Sequence, residues 1–112
     1  MPHLILAYAA PLKQDTDIQE LVDAAFAGAE ASNLFTAKDI KVRATPIDSY
    51  TTGGTDQPFV HVEIKLLSGR TAAQKKDLAT RVLETITAAV PADVAISVET
   101  NDLDRDSYSK RT

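Results

Sequence analysis

The chain has no cysteine among its 112 residues. That absence removes disulfides, thiol catalysis and thiolate metal sites together, and it fits a reducing compartment. Apolar runs long enough to span a membrane are missing, as are the basic region and long apolar core of a signal peptide, so the expected location is cytoplasmic. Positive charge is not in excess: 12 basic residues against 16 acidic ones give a net charge of −4, which argues against a nucleic-acid or anionic-membrane surface. The partners expected instead are small molecules or protein. Only two histidines occur, His3 and His61, and neither has a second histidine or carboxylate at ligand spacing, so no metal is expected. Gly53-Gly54 lacks the lysine and following helix of a phosphate-binding loop and reads as a hairpin turn. Ser68 has no partner pattern for nucleophilic catalysis.

What is present is a globular composition, 44% hydrophobic, in a chain long enough for one core and too short for two ordinary domains. Residues 1–112 are read as a single domain. From Pro2 to Ala10 the sequence predicts a strand that is apolar on both faces, ended by Pro11. A helix follows from about Thr16, capped by Asp15 or Thr16, with Ile18, Leu21, Val22, Ala25, Phe26 and Ala29 as its stripe. Ser32-Asn33 closes it. From Ile40 to Tyr50 the period changes to two, with Ile40, Val42 and Ala44 on one face and Lys41, Arg43 and Thr45 on the other. Pro58 to Leu67 alternates in the same way. Thr71 and Gln74 have capping-box spacing for a second helix with the stripe Leu78, Ala79, Val82, Leu83, Ile86, Ala89 and Val90. A last strand, Val94 to Val98, leads into a polar tail.

The order strand, helix, strand occurs twice. Pro58 stands 56 residues after Pro2, and the helix stripes superpose at an offset of 57. The expected fold is α+β: two tandem β-α-β units, pseudo-repeats 2–50 and 58–100, forming a four-stranded sheet with two helices on one face, followed by a tail 101–112. Ile5, Phe59 and Leu67 would then point away from the helices. A closed ring of subunits is the simplest way to keep that face from water.

Three features bear on chemistry. If the initiator methionine is removed, Pro2 carries a secondary amine; burial would lower an α-amino pKa from roughly 7.7 to 8.0 toward neutrality, where a general base works well. Many chains begin Met-Pro without catalytic reason, and a retained Met1 would acylate the nitrogen and abolish its basicity. Arg70 stands just before the Thr71 cap, where a guanidinium and a helix N-terminus can attract an anion together; it can also be a surface arginine pairing with Asp77. Lys41 and Arg43 share one strand face and read as an anion site or as a solvated edge.

Met1-Pro2-His3-Leu4-Ile5, Phe59-Val60-His61-Val62, and Ser68-Gly69-Arg70-Thr71 running into Gln74-Lys75-Lys76 resemble the tautomerase superfamily, with the nearest likeness to its 5-carboxymethyl-2-hydroxymuconate isomerase branch over almost the whole chain. The macrophage migration inhibitory factor branch is similar in size, but its cysteine motif has no counterpart. The resemblance implies a homotrimer, no cofactor, and a keto-enol isomerase of aromatic-compound breakdown acting on a small unsaturated carboxylate. It also implies Pro2 as catalytic base, Arg70 as catalytic arginine, and Lys41 and Arg43 as substrate-binding cations. Lys41 departs from the pattern, which has arginine there. Relatives that hydrate, dehalogenate or decarboxylate unsaturated acids, and a non-catalytic trimeric scaffold, are the alternatives.

Overall fold

In the computed structural model, which describes residues 1–112, side-chain alternation decides which face of the sheet is dry. Four strands, β1 (His3–Ala9), β2 (Lys41–Ile47), β3 (Phe59–Leu67) and β4 (Ala95–Leu103), form one sheet in the order β2-β1-β3-β4. The outer pairs are parallel and the central pair, β1 with β3, is antiparallel. Leu4, Leu6 and Tyr8 of β1 and Val60, Val62, Ile64 and Leu66 of β3 are buried beneath the helices. Each such aliphatic side chain contributes roughly 1.5–3 kcal/mol by leaving water. On the opposite face Ile5 and Ala7 stay half-buried, so β1 is covered on one side rather than on both as its apolar run predicts.

Two helices, α1 (Ile18–Ala31) and α2 (Ala72–Thr87), supply the cover. The cap of α1 is Asp17, whose carboxylate accepts from the Gln19 amide at 2.9 Å. Asp15 and Thr16 stand too early for that role, because a 3₁₀ turn, Ala10–Gln14, closes there with the Leu12 carbonyl accepting from both of their amides at 3.1 and 3.0 Å, and the helix begins only at Ile18. The predicted capping box of α2 forms in full, Thr71 accepting from the Gln74 amide at 3.1 Å and Gln74 accepting from the Thr71 amide at 2.9 Å. Asn33, with φ of 60°, turns the chain out of α1. The helices meet at Gly28, where a Cβ would stand 2.6 Å from Thr85 Oγ1 and 2.7 Å from Val82 Cα. Leu83 falls outside the buried stripe and is 37% exposed; α2 buries Leu78, Val82 and Ile86.

The Gly53-Gly54 turn forms, with φ of 60° and 79° and Thr52 and Thr55 bonded across it. It does not join neighbouring strands, because β1 lies between β2 and β3. The two units are tied alike: the Pro2 carbonyl accepts from the Lys41 amide and the Pro58 carbonyl from the Ala95 amide, each at 3.0 Å. No helix is long and apolar enough to cross a membrane.

Candidate active site

Topology collects residues that lie far apart in sequence. His3 pairs with Lys41 on one side and Lys65 on the other, and at the end of β3 Leu67 pairs with Leu103. One edge of the sheet therefore holds the beginnings of β1 and β2, the ends of β3 and β4, and the turn that leads into α2. Pro2 and Lys41 are joined there by the backbone bond between them, Arg70 stands at the same end of the sheet bonded to Leu34 and Leu67, and the tail after Leu103 arrives there too; of the three, only Lys41 lines a cleft.

Pro2 is fully buried and Met1 is 7% exposed. The amine at this end belongs to Met1, and it titrates below the ordinary value of 8.0. Burial is the main cause; the positive charges of Lys110, Lys41 and Arg70 act in the same direction, and Asp39 opposes them. The surroundings of the chain terminus thus favour a neutral amine.

Arg70 is placed by Gly69, whose φ of 122° bends the chain between β3 and the cap of α2. Its guanidinium donates to the Leu34 carbonyl at 3.0 Å and the Leu67 carbonyl at 3.2 Å, and its Cζ stands 5.2 Å from the centre of the Phe35 ring. Asp77 is not its partner, since Arg81 holds that carboxylate at 2.8 Å. A guanidinium has five N–H groups, so Arg70 retains donors beyond these two bonds.

Lys41 lines a cleft of about 400 Å³ together with Lys38, Asp39, Lys110 and Arg111. Arg43 shares its strand face but lies outside the cleft wall, and its guanidinium donates to His3 Nδ1 at 3.2 Å. That bond makes Nδ1 the acceptor, leaving the Nε2 hydrogen to be donated to the Tyr108 hydroxyl at 3.1 Å. Burial, then the charges of Arg43, Lys41 and Lys65, hold His3 below the usual 6.5 and keep the ring neutral. Sequence reasoning missed His3, Tyr108, Lys110 and Arg111 as parts of this region. The one available signal was the basic pair Lys110-Arg111 after an acidic stretch, and nothing local ties that pair to a residue more than a hundred positions away.

The opposite edge has the contrary sign. Around Pro58 a cleft of about 250 Å³ is lined by Asp15, Asp56 and Asp93, with no cation in its wall. The two prolines share a backbone bonding pattern but not an electrostatic environment. On the open sheet face, His61 lies between Ser97 Oγ at 2.6 Å and Glu99 Oε2 at 2.5 Å, while Asn101 donates to Glu99 at 2.9 Å and Glu63 at 3.1 Å. The bonds from Asn101 and His61 hold the Glu99 carboxyl below its usual range.

The family model for 5-carboxymethyl-2-hydroxymuconate isomerase matches residues 2–112. Among solved structures, a 5-carboxymethyl-2-hydroxymuconate isomerase from Deinococcus radiodurans R1 superposes with a TM-score of 0.85 at 23% identity, covering 98% of this chain and 88% of that one. A 5-carboxymethyl-2-hydroxymuconate delta-isomerase gives 0.83 at 16% identity over 100% and 88% of the two chains. A fused 4-OT wild type symmetric trimer gives 0.81 at 18% over 97% and 93%. At these identities the structural likeness is one of fold. No curated sequence matches the chain. The match of the family model over residues 2–112 places the chain in the 5-carboxymethyl-2-hydroxymuconate isomerase family, as an isomerase of the tautomerase superfamily.

Proposed function

We propose that the protein is a cofactor-independent tautomerase that moves a proton within a small unsaturated 2-hydroxy or 2-oxo carboxylate, of which 5-carboxymethyl-2-hydroxymuconate is the example the family name suggests. The observation that carries this reading is the burial of Pro2 at a sheet edge where Lys41, Lys110 and Arg70 all favour a neutral amine. Removal of Met1 would expose a secondary amine on Pro2 and clear the space that the Met1 side chain occupies. The neutral amine then takes the proton of the dienol hydroxyl and returns it to a carbon further along the conjugated system. An O–H and a C=C are exchanged for a C–H and a C=O, so the step balances without an oxidant or reductant. Arg70 stabilises the developing oxyanion with the N–H groups it has not spent on Leu34 and Leu67. Lys41, from the cleft wall, and Arg43, from the open face beside it, hold the carboxylate.

The working unit is a homotrimer in this reading. The open face carries half-buried Ile5, Ala7, Phe59 and Leu67 beside the hydrogen-bonded His61 array, β2 and β4 are unpaired edges, and a similar fold is described as a symmetric trimer. Closing the sheets into a ring covers the apolar residues and both edges.

Two measurements test the proposal. Intact mass should show native protein lacking Met1; full retention would remove the base. Ketonisation of phenylenolpyruvate, followed by absorbance, should fall at least about a hundredfold in Pro2→Ala, within the range that general-base catalysis supplies. An unchanged rate in that variant would leave a scaffold as the better description.

A further inference from the structure

The tail beyond Leu103 is a built part of the cationic edge. Two contacts fix it. Arg105 Nε donates to the Ser68 carbonyl at 2.5 Å, two residues before Arg70, and its guanidinium lies over Gly69, where a Cβ would come within 3.5 Å of it. Tyr108 then meets His3 in an edge-on ring contact, 6.5 Å between centroids, with its hydroxyl 3.1 Å from Nε2. The neutral His3 is oriented from behind by Arg43, so the chain Arg43, His3, Tyr108 links β2 through β1 to the tail. Beyond that anchor the chain turns over the cleft, and Lys110 and Arg111 form part of its wall.

Charge in that cleft exceeds what one carboxylate needs. Lys38, Lys41, Lys110 and Arg111 outnumber the acidic groups of the lining, the Asp39 side chain and the terminal carboxylate of Thr112, by four to two. Lys41 is partly engaged with the Asp39 carbonyl at 3.3 Å, whereas no hydrogen-bond or ion-pair partner holds Lys110 or Arg111. Two free cations contributed by the tail, in addition to the Lys41 contributed by β2, suit an anion with more than one charge. We infer that Lys110 and Arg111 form the receptor for the second carboxylate of a dicarboxylate substrate, and that Tyr108, held by His3, is the positioning residue that brings them there. The inference rests on the proposed site beside Pro2, but it concerns recognition and not proton transfer. The tail is a specificity element: it selects for a distal carboxylate that phenylenolpyruvate lacks.

The test separates recognition from chemistry by measuring binding. Full-length protein is titrated calorimetrically with trans,trans-muconate, a dicarboxylate that does not require turnover, and with sorbate, a monocarboxylate with the same trans,trans-diene. Wild type is expected to prefer muconate by about tenfold or more, the equivalent of one additional charge-assisted contact. Lys110→Ser/Arg111→Ser should abolish the preference, and Arg111→Ser alone, at a residue that does not act on the terminal amine, should lower it several-fold while leaving sorbate binding within about twofold. Tyr108→Phe should weaken muconate binding several-fold at an unchanged unfolding temperature, a readout that a merely structural hydroxyl would not give. A wild type without preference, a double variant that keeps it, or equal loss for both ligands would each overturn the inference. If the preference behaves as expected but Pro2→Ala still ketonises dienols at the wild-type rate, the proposed base fails and the carboxylate receptor stands.

Discussion

Replacing Arg70 by lysine separates its structural work from its chemical work. The arginine makes two charge-assisted bonds to main-chain carbonyls, to Leu34 and Leu67, and stacks over Phe35. Bonds of that class contribute about 1.5–3 kcal/mol each, and a cation over an aromatic face about 0.5–1 kcal/mol at a partly exposed site. Lysine can reach one carbonyl but not both, and contributions from neighbouring groups do not add fully, so the expected loss is about 2 kcal/mol. With an unfolding entropy of roughly 2.1 cal/mol/K per residue, that corresponds to a fall of about 8 °C in the unfolding temperature. Activity should fall further than stability requires. Lysine keeps the charge but lacks the flat fork that holds a carboxylate or oxyanion, so kcat/KM for a dienol dicarboxylate should drop about 10–100-fold at a temperature where both proteins are folded. Circular dichroism and the ketonisation assay report the two effects separately. A variant that melts with wild type refutes the anchoring; one that loses stability but keeps full kcat/KM reduces Arg70 to a strut between α1 and the end of β3.

Gly28→Ala should destabilise by about 1–3 kcal/mol despite the better helix propensity of alanine, because its Cβ would collide with Val82 Cα, which no rotamer change can move; equal or higher stability in chemical denaturation would show that the helices separate freely. Stability should also depend on pH through His3, whose folded pKa lies below the ordinary 6.5. The unfolded chain takes the proton first, so this contribution is complete above the unfolded value and is lost as pH falls through the folded one. Unfolding temperature should therefore decline between about pH 7.5 and 5, above the range where Glu99 titrates; the terminal amine, also held below its ordinary value, adds to the upper part of the decline, and His3→Gln should flatten the lower part. A parallel slope in the variant would place the titration elsewhere.

Much of the scaffold was legible because local rules govern it. Period-two alternation located β2 and β3 within a few residues, and Thr71 with Gln74 marked the start of α2 because both capping bonds close within four residues. The errors arose where a non-local partner decided the outcome. The cap of α1 is a local exception: the 3₁₀ turn Ala10–Gln14 delays the helix to Ile18, so Asp17 and not Asp15 or Thr16 stands at the capping position. The glycine turn lost its hairpin because β1 inserted between the strands it connects. β4 continues to Leu103, five residues past its last predicted position, since pairing with β3 sustains polar residues that alternation alone would assign to a tail.

By itself the sequence determined a small α+β fold of four strands and two helices, without thiol chemistry, and marked Pro2, Lys41, Arg43 and Arg70 as the residues to question. Those conclusions depend on residue type, spacing and nearest neighbours along the chain. Only the tertiary structure decided that antiparallel pairing of β1 with β3 brings the start of one and the end of the other to one edge, so that Arg70 acts on the Met1 amine next to Pro2. It also decided that the edge at Pro2 is cationic whereas the equivalent edge at Pro58 is acidic. The physical reason is that electrostatic influence depends on distance in space: Lys110 acts on the amine of residue 1 because Tyr108 is bonded to His3, a closeness that no local pattern in the chain encodes.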